Sequence, residues 1–173
     1  MQANLVGDHH ILTCSRDQLI KLWDTRKLDS DAGSQPVGVF TGHEGGVTTA
    51  NSDRFGLKMA SGGRDCTTIL WDVETEKLLE KRKVEKNVVT DLKWRKSSDS
   101  QFFQLSEDLT LRLYDIRSAI KLKPVKEFKL GNQIPTNLDL ISNSETSEDF
   151  LLLGHRGFNG DGSEVRLFDI RNE

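Results

Sequence analysis

Little in this sequence is extreme, and each scarcity removes a class of protein. Only 2 cysteines, Cys14 and Cys66, occur among 173 residues. Two lone thiols make neither a disulfide framework nor a zinc site. That usage fits a reducing compartment, and a cytoplasmic location is expected. No apolar run approaches 18 residues, so no membrane insertion is expected. Met1 to Asp8 has no basic region and no long apolar stretch, so a secretory signal is not expected there. Charge of one sign is also missing. The 27 Asp and Glu against 24 Lys and Arg leave a net charge of −3, without the basic excess of a nucleic-acid binder. With 35% hydrophobic and 29% charged residues, the composition is that of a soluble globular chain. Its length suits one domain.

Catalytic signatures are absent as well. There is no Gly-x-Ser-x-Gly elbow, no His-Glu-x-x-His and no Walker sequence. Carboxylates are plentiful, but nothing places two of them around a pocket. His9 and His10 adjoin in a turn without a fixed third ligand, so a metal site is not expected there. Gly157, Gly160 and Gly162 resemble a phosphate-cradling loop only in spacing. Such a loop needs a helix after it, and Glu164 to Asp169 reads as a strand. A Gly-rich hairpin turn is expected instead, and no cofactor.

What is present is a repeat. Leu22-Trp23-Asp24 returns as Leu70-Trp71-Asp72, Leu113-Tyr114-Asp115 and Leu167-Phe168-Asp169. Asp17, Asp65 and Asp108 each stand seven residues before the Asp of that triplet, and Asp161 stands eight before Asp169. Ser15, Gly63 and Ser106 precede the first three of these acids by two positions. A constant internal offset over four units marks a repeat architecture.

Each unit reads as strands. Ile20-Lys21-Leu22-Trp23 and its counterparts alternate with period two. One face carries Ile20, Thr68, Leu111 or Val165, followed by Leu22, Leu70, Leu113 or Leu167. The other face carries the aromatics. A short strand precedes each Asp turn, at 11–14, 58–61, 101–105 and 150–153. The Asp links read as hairpin turns. Further strands are expected at 3–6, 47–50, 88–94 and 136–141, and at 37–40, 77–83 and 125–130. That makes about four strands per unit, with the last unit lacking its fourth.

These residues resemble the WD-repeat family of β-propeller builders. Gly42-His43, Ser61 to Asp65 and Trp71-Asp72 in the second unit carry the likeness best. The resemblance implies an all-β fold, part of a propeller. About four blades of four antiparallel strands are expected, the last incomplete. The whole chain, 1–173, forms one array, with repeats at about 1–41, 42–84, 85–131 and 132–173. It also implies a buried hydrogen-bond network of His43, Ser61, Asp65 and Trp71, structural rather than catalytic. The other repeat-turn and aromatic-Asp positions are Asp17, Trp23, Asp24, Asp72, Asp108, Tyr114, Asp115, Phe168 and Asp169. In the third unit Val84-Glu85-Lys86 replaces Gly-His and Tyr114 replaces Trp. The fourth has Gly131-Asn132 and Phe168. These departures are expected to weaken the network.

In this family the residue before the turn Asp faces the top of the propeller. Here those residues are Arg16, Arg64 and Glu107, with Glu44, Lys86 and Asn87 expected nearby. Two arginines from adjacent blades suit acidic groups on a protein partner; a merely solvated rim is the plainer reading. The stretch Lys77 to Lys96, interleaved with Glu76, Glu80, Glu85 and Asp91, reads as a solvated edge strand with protective charges. Ser97 to Ser100 and Ser142 to Asp149 read as polar hairpin loops.

A closer similarity, to the WD repeat-containing protein 31 family, is carried by Glu85 to Thr90, Leu105 to Leu113 and Gly157 to Gly162. It implies an adaptor in ciliary traffic, at the cilium or its base. The expected function is therefore a non-enzymatic scaffold for other proteins. An enzyme or small-ligand-binding propeller is the alternative. Four blades are too few for a typical ring, so the end blades are expected to expose apolar faces and an open edge. Self-association through them, or a longer parent chain, would cover those surfaces.

Overall fold

The computed structural model describes residues 2–27, 35–83, 87–117, 122–131, 134–143, 148–157 and 162–169. Four antiparallel sheets follow one another along the chain. The first runs β1 (Gln2–Val6), β2 (His10–Cys14), β3 (Ile20–Asp24) and β4 (Gly38–Phe40). The second is β5 (Val47–Ser52), β6 (Lys58–Gly63), β7 (Thr67–Asp72) and β8 (Leu78–Lys83). The third is β9 (Val89–Trp94), β10 (Gln101–Ser106), β11 (Thr110–Asp115) and β12 (Pro124–Lys129). The fourth, among the described residues, has three strands: β13 (Ile134–Asn143), β14 (Glu148–Arg156) and β15 (Glu164–Asp169). The sheets are four propeller blades. In each, strand order follows chain order, as expected for short antiparallel hairpins.

The Asp turns account for one reversal in each of the first three blades. Asp17, Asp65 and Asp108 each accept the amide N–H two residues on, from Leu19 at 3.1 Å, Thr67 at 3.2 Å and Thr110 at 3.1 Å. The residue between is left-handed in all three: Gln18 at φ 70°, Cys66 at 62° and Leu109 at 63°. The short Asp side chain closes the turn locally, and its bond holds a conformation that non-glycine residues otherwise avoid.

Period-two alternation gives every blade two faces. One is the forward face, with Ile20, Thr68 and Leu111. The other is the aromatic face, with Trp71, Tyr114 and Phe168. Three apolar clusters form where a forward face meets the next blade's aromatic face. Leu12, Cys14 and Ile20 pack with Met59, Ile69 and Trp71. Ala60 and Leu70 pack with Leu92, Phe102 and Tyr114. Phe103, Leu105 and Leu111 pack with Leu151, Leu153 and Phe168. Among the described residues no apolar cluster joins the fourth blade to the first. The forward face of the fourth blade is accordingly open: Val165 is 71% and Leu167 62% exposed, whereas Ile20 is 0% and Leu70 7%. At the other end Trp23 is only half-buried, unlike Trp71 and Tyr114.

The second and third blades meet most tightly at Gly62. A Cβ on Gly62 would overlap Val89 Cγ1 and come within 2.7 Å of Val89 Cβ. Val89 is fully buried and β-branched, so it has little freedom to give way. Gly62→Ala is expected to destabilise the chain by about 2–3 kcal/mol through overpacking. Urea unfolding checks this. Combining it with Val89→Ala should recover part of the loss.

Two expectations change. Lys77 to Lys96 is not one edge strand. Residues 78–83 form β8 at the outer edge, but 89–94 form β9, the innermost strand of the third blade. Asp91 there is 3% exposed and bonded across blades, so it is no protective surface charge. The span Ser142 to Asp149 is also less of a loop, because β13 runs on to Asn143 and β14 starts at Glu148. Residues 144–147, and 158–161 with Asp161, lie outside the described residues.

Candidate functional site

In the second blade, residues from four places converge. Gly42-His43 lies ahead of β5, Ser61 is on β6, Asp65 is in the turn and Trp71 is on β7. Trp71 Nε1–H donates to Ser61 Oγ at 2.8 Å. Ser61 Oγ lies 2.8 Å from His43 Nε2, and His43 Nδ1 lies 3.1 and 3.0 Å from the two Asp65 carboxylate oxygens. The Asp65 carboxylate can only accept, so Nδ1 carries a proton and donates to it. Burial favours the neutral ring, in which Nε2 accepts the Ser61 hydroxyl proton. It holds the His43 pKa below the ordinary histidine value, although Asp65 pulls the other way. Burial also opposes the Asp65 charge. The Glu44 amide at 2.9 Å, Thr67 and His43 outweigh it, so its pKa lies below the usual carboxylate value. A Cβ on Gly63 would stand 2.7 Å from Asp65 Oδ1 and 2.8 Å from His43 Nδ1, in the middle of the clip.

The aromatic of each neighbouring blade finds its own partner. Trp23 Nε1–H donates to Thr13 Oγ1 at 2.8 Å, and Tyr114 O–H donates to Gln104 Oε1 at 2.7 Å. Thr13, Ser61 and Gln104 each stand ten residues before their aromatic, an offset legible in the sequence. The third blade is therefore re-wired rather than merely weakened. Gln104 Nε2–H passes the chain to Ser106 Oγ at 3.0 Å. Arg112, 9% exposed, pairs with Asp108 and, at 3.1 Å, with Glu127. Burial pushes the Tyr114 hydroxyl up to about 12. In the fourth blade both groups are apolar: Leu153 faces the cluster that holds Phe168.

The aromatic-Asp acids anchor the following turns. Asp24 receives Arg26 Nη2 at 2.8 Å and Asp115 receives Arg117 Nη2 at 2.7 Å, each beside the Arg backbone amide. Asp72 receives Lys58 Nζ at 2.9 Å and the Thr75 amide and hydroxyl. These donors hold all three carboxyls well below the usual range. Asp169 lies on β15, paired with Phe150.

Asp91 ties blades together. Its Oδ1 accepts the Thr49 hydroxyl at 2.9 Å, the Leu92 amide at 2.8 Å and Gln2 Nε2 at 3.4 Å. Its Oδ2 accepts the Leu138 amide at 2.9 Å. Donors thus arrive from all four blades at one buried carboxylate.

The top-rim residues divide by blade. Arg16 and Arg64 are both exposed and flank Gly46. The Arg64 amide donates to Gly46 O at 2.9 Å, and a Cβ on Gly46 would sit 3.2 Å from Arg16 Cα. Glu44 joins this group, but its carboxylate meets Lys81 Nζ at 3.0 Å. Glu107 is exposed in the corresponding turn of the third blade, its amide on Val88 O at 3.0 Å, next to half-buried Asn87. Lys86 lies outside the described residues. Among the described residues no group of three His, Cys, Asp and Glu side chains is placed to hold a metal ion.

Comparison with known proteins gives a consistent set of likenesses. Residues 5–24 and 34–72 match the family model described as WD domain, G-beta repeat. The chain is 32% identical over 130 residues to histone acetyltransferase type B subunit 2 of Eremothecium gossypii, covering 75% of this chain and 28% of that protein. It is 38% identical over 68 residues to the DDB1- and CUL4-associated factor 11 homolog of Caenorhabditis elegans, covering 39% and 12%. Over 99% of its length it is 23% identical to eukaryotic translation initiation factor 3 subunit I of Drosophila mojavensis, spanning 50% of that protein. The chain thus spans half or less of the length of these relatives.

Proposed function

The chain belongs to the WD40-repeat family, and from that premise we propose that it is a non-enzymatic scaffold binding other proteins on the rim that carries Arg16 and Arg64. The observation that carries this reading is their placement. Two exposed arginines from separate blades flank one glycine of a rigid frame. Residues on loops held by such a frame are where binding usually sits, and paired arginines favour carboxylate or phosphate groups. The relatives support the general role, since two of them are named as subunits and one as an associated factor of other proteins.

The test is the double reversal Arg16→Glu with Arg64→Glu. Both side chains are exposed, so the melting temperature should stay within about 2 °C. Proximity labelling in cells should lose the proteins that the unaltered chain labels. An unchanged set would remove these arginines from the proposal.

A finer assignment, to ciliary traffic from the cytoplasm, rests on Glu85 to Thr90, Leu105 to Leu113 and Gly157 to Gly162 alone. A fluorescent fusion in ciliated cells reads it directly. Enrichment at the cilium or its base supports the assignment, and an even distribution with no ciliary signal overturns it.

A further inference from the structure

The rim opposite Arg16 and Arg64 holds a cavity of about 540 Å³, lined by the ends of all four innermost strands. Strand direction separates the two rims. β5 leaves the Arg64 rim at Val47 and reaches the cavity at Ser52, five residues on, roughly 17 Å away. The volume falls in the range of ligand sites, about 300–1,000 Å³.

Its wall between the second and third blades is mainly cationic, although Asp53, its Oδ1 taken by the Leu57 amide at 2.9 Å, adjoins Arg54. Lys93, Arg95 and Lys96 come from the end of β9, and Arg54 from the turn after β5. Among the described residues no carboxylate neutralises Lys93, Lys96 or Arg54. The wall is also held in place. Trp94 donates its amide to Asn51 Oδ1 at 3.0 Å and its indole N–H to Asn51 O at 2.8 Å, joining the two blades beneath those charges. Cations without an ion-pair partner in a concave wall attract the opposite charge. Asp8 and Asp139, with apolar Leu5 and Leu140, line the same cavity.

We propose that this cavity binds an acidic peptide segment of a partner protein, its carboxylates set against Lys93, Lys96 and Arg54. The mixed lining selects a peptide. A nucleic acid would bring phosphates against Asp8 and Asp139 as well, at a like-charge cost. A peptide places its carboxylates at discrete positions, offers backbone N–H groups to the two aspartates, and has apolar side chains for Leu5 and Leu140. This site is separate from the Arg16–Arg64 rim, and either can fail without the other.

The experiment titrates the chain with a fluorescent glutamate-rich peptide containing leucines, with a lysine-rich peptide and with a single-stranded oligonucleotide. The glutamate-rich peptide should bind, and more weakly as salt rises. Lys93→Gln with Lys96→Gln should weaken it roughly tenfold, with Arg54→Gln as a second variant at an exposed residue acting in the same direction. Asp8→Lys should tighten it. Arg16→Glu with Arg64→Glu should leave it unchanged, which separates this site from the other rim. No binding of the glutamate-rich peptide, binding insensitive to both lysine and Arg54 changes, or tighter binding of the oligonucleotide would overturn the proposal.

Discussion

Asp91→Ala is expected to lower the unfolding free energy by roughly 3–5 kcal/mol, the largest effect of any single polar residue in this chain. Asp91 is buried, and among the described residues no lysine or arginine pairs with it. Its charge is held by the Thr49 hydroxyl, the Leu92 and Leu138 amides and the Gln2 carboxamide. Truncation strands those donors at once, and a buried unpaired donor costs about 1–3 kcal/mol. Oδ2 accepts the Leu138 amide at 2.9 Å. Asp91→Asn keeps the shape but sets an NH₂ among donors, so it too should destabilise, by less. Urea denaturation with both variants measures this. The partner variant Thr49→Val should be clearly non-additive with Asp91→Ala, because they share one bond. Full additivity, or a loss below about 1 kcal/mol, would mean that the carboxylate does not tie the blades.

The second large effect lies in the clip of the second blade. His43→Ala removes the link between Ser61 and Asp65, takes one partner from each and opens a cavity beside Trp71. The expected cost is roughly 2–4 kcal/mol. Asp65→Asn should cost about 1–3 kcal/mol. If the same pair were catalytic, Asp65→Asn would spare folding and abolish turnover.

The clip also makes stability depend on pH. The folded chain holds His43 neutral, with its pKa below the ordinary value of about 6.5. The unfolded chain therefore takes up the proton first. His43 contributes its full stability above pH 6.5 and loses it as pH falls below that value, at up to about 1.4 kcal/mol per pH unit. Asp65 acts at lower pH, since its depressed pKa gives stability above its ordinary value that is lost as pH falls further. Chemical denaturation between pH 5 and 8 should show stability rising with pH. His43→Gln should flatten that rise, and an unchanged slope would place its origin in another group.

Much of the fold was legible because its signals are local. Period-two runs and the Asp turns place the hairpins within a few residues of where they form. The Asp turn needs only one side chain and an amide two positions on, as at Asp17, Asp65 and Asp108. The clip was legible where it keeps the family's residue types, at His43, Ser61, Asp65 and Trp71. It was not legible in the third blade, where Gln104 serves Tyr114 and Arg112 serves Asp108 with different chemistry.

Asp91 and the basic cavity show the opposite case. In sequence, Asp91 is one acid among lysines, and Lys93 to Lys96 is a charged strand end. The donors to Asp91 lie 42 and 47 residues away, on Thr49 and Leu138. By itself the sequence determined the strands, their hairpin turns, the two faces of each blade and the repeat that stacks them. Only the tertiary structure decided which strand is innermost, which faces are covered, and which charges meet at the axis. The reason is physical. Hairpins close over short loops, so nearby residues specify them. Contacts between blades depend on how whole sheets pack, and no local pattern records that.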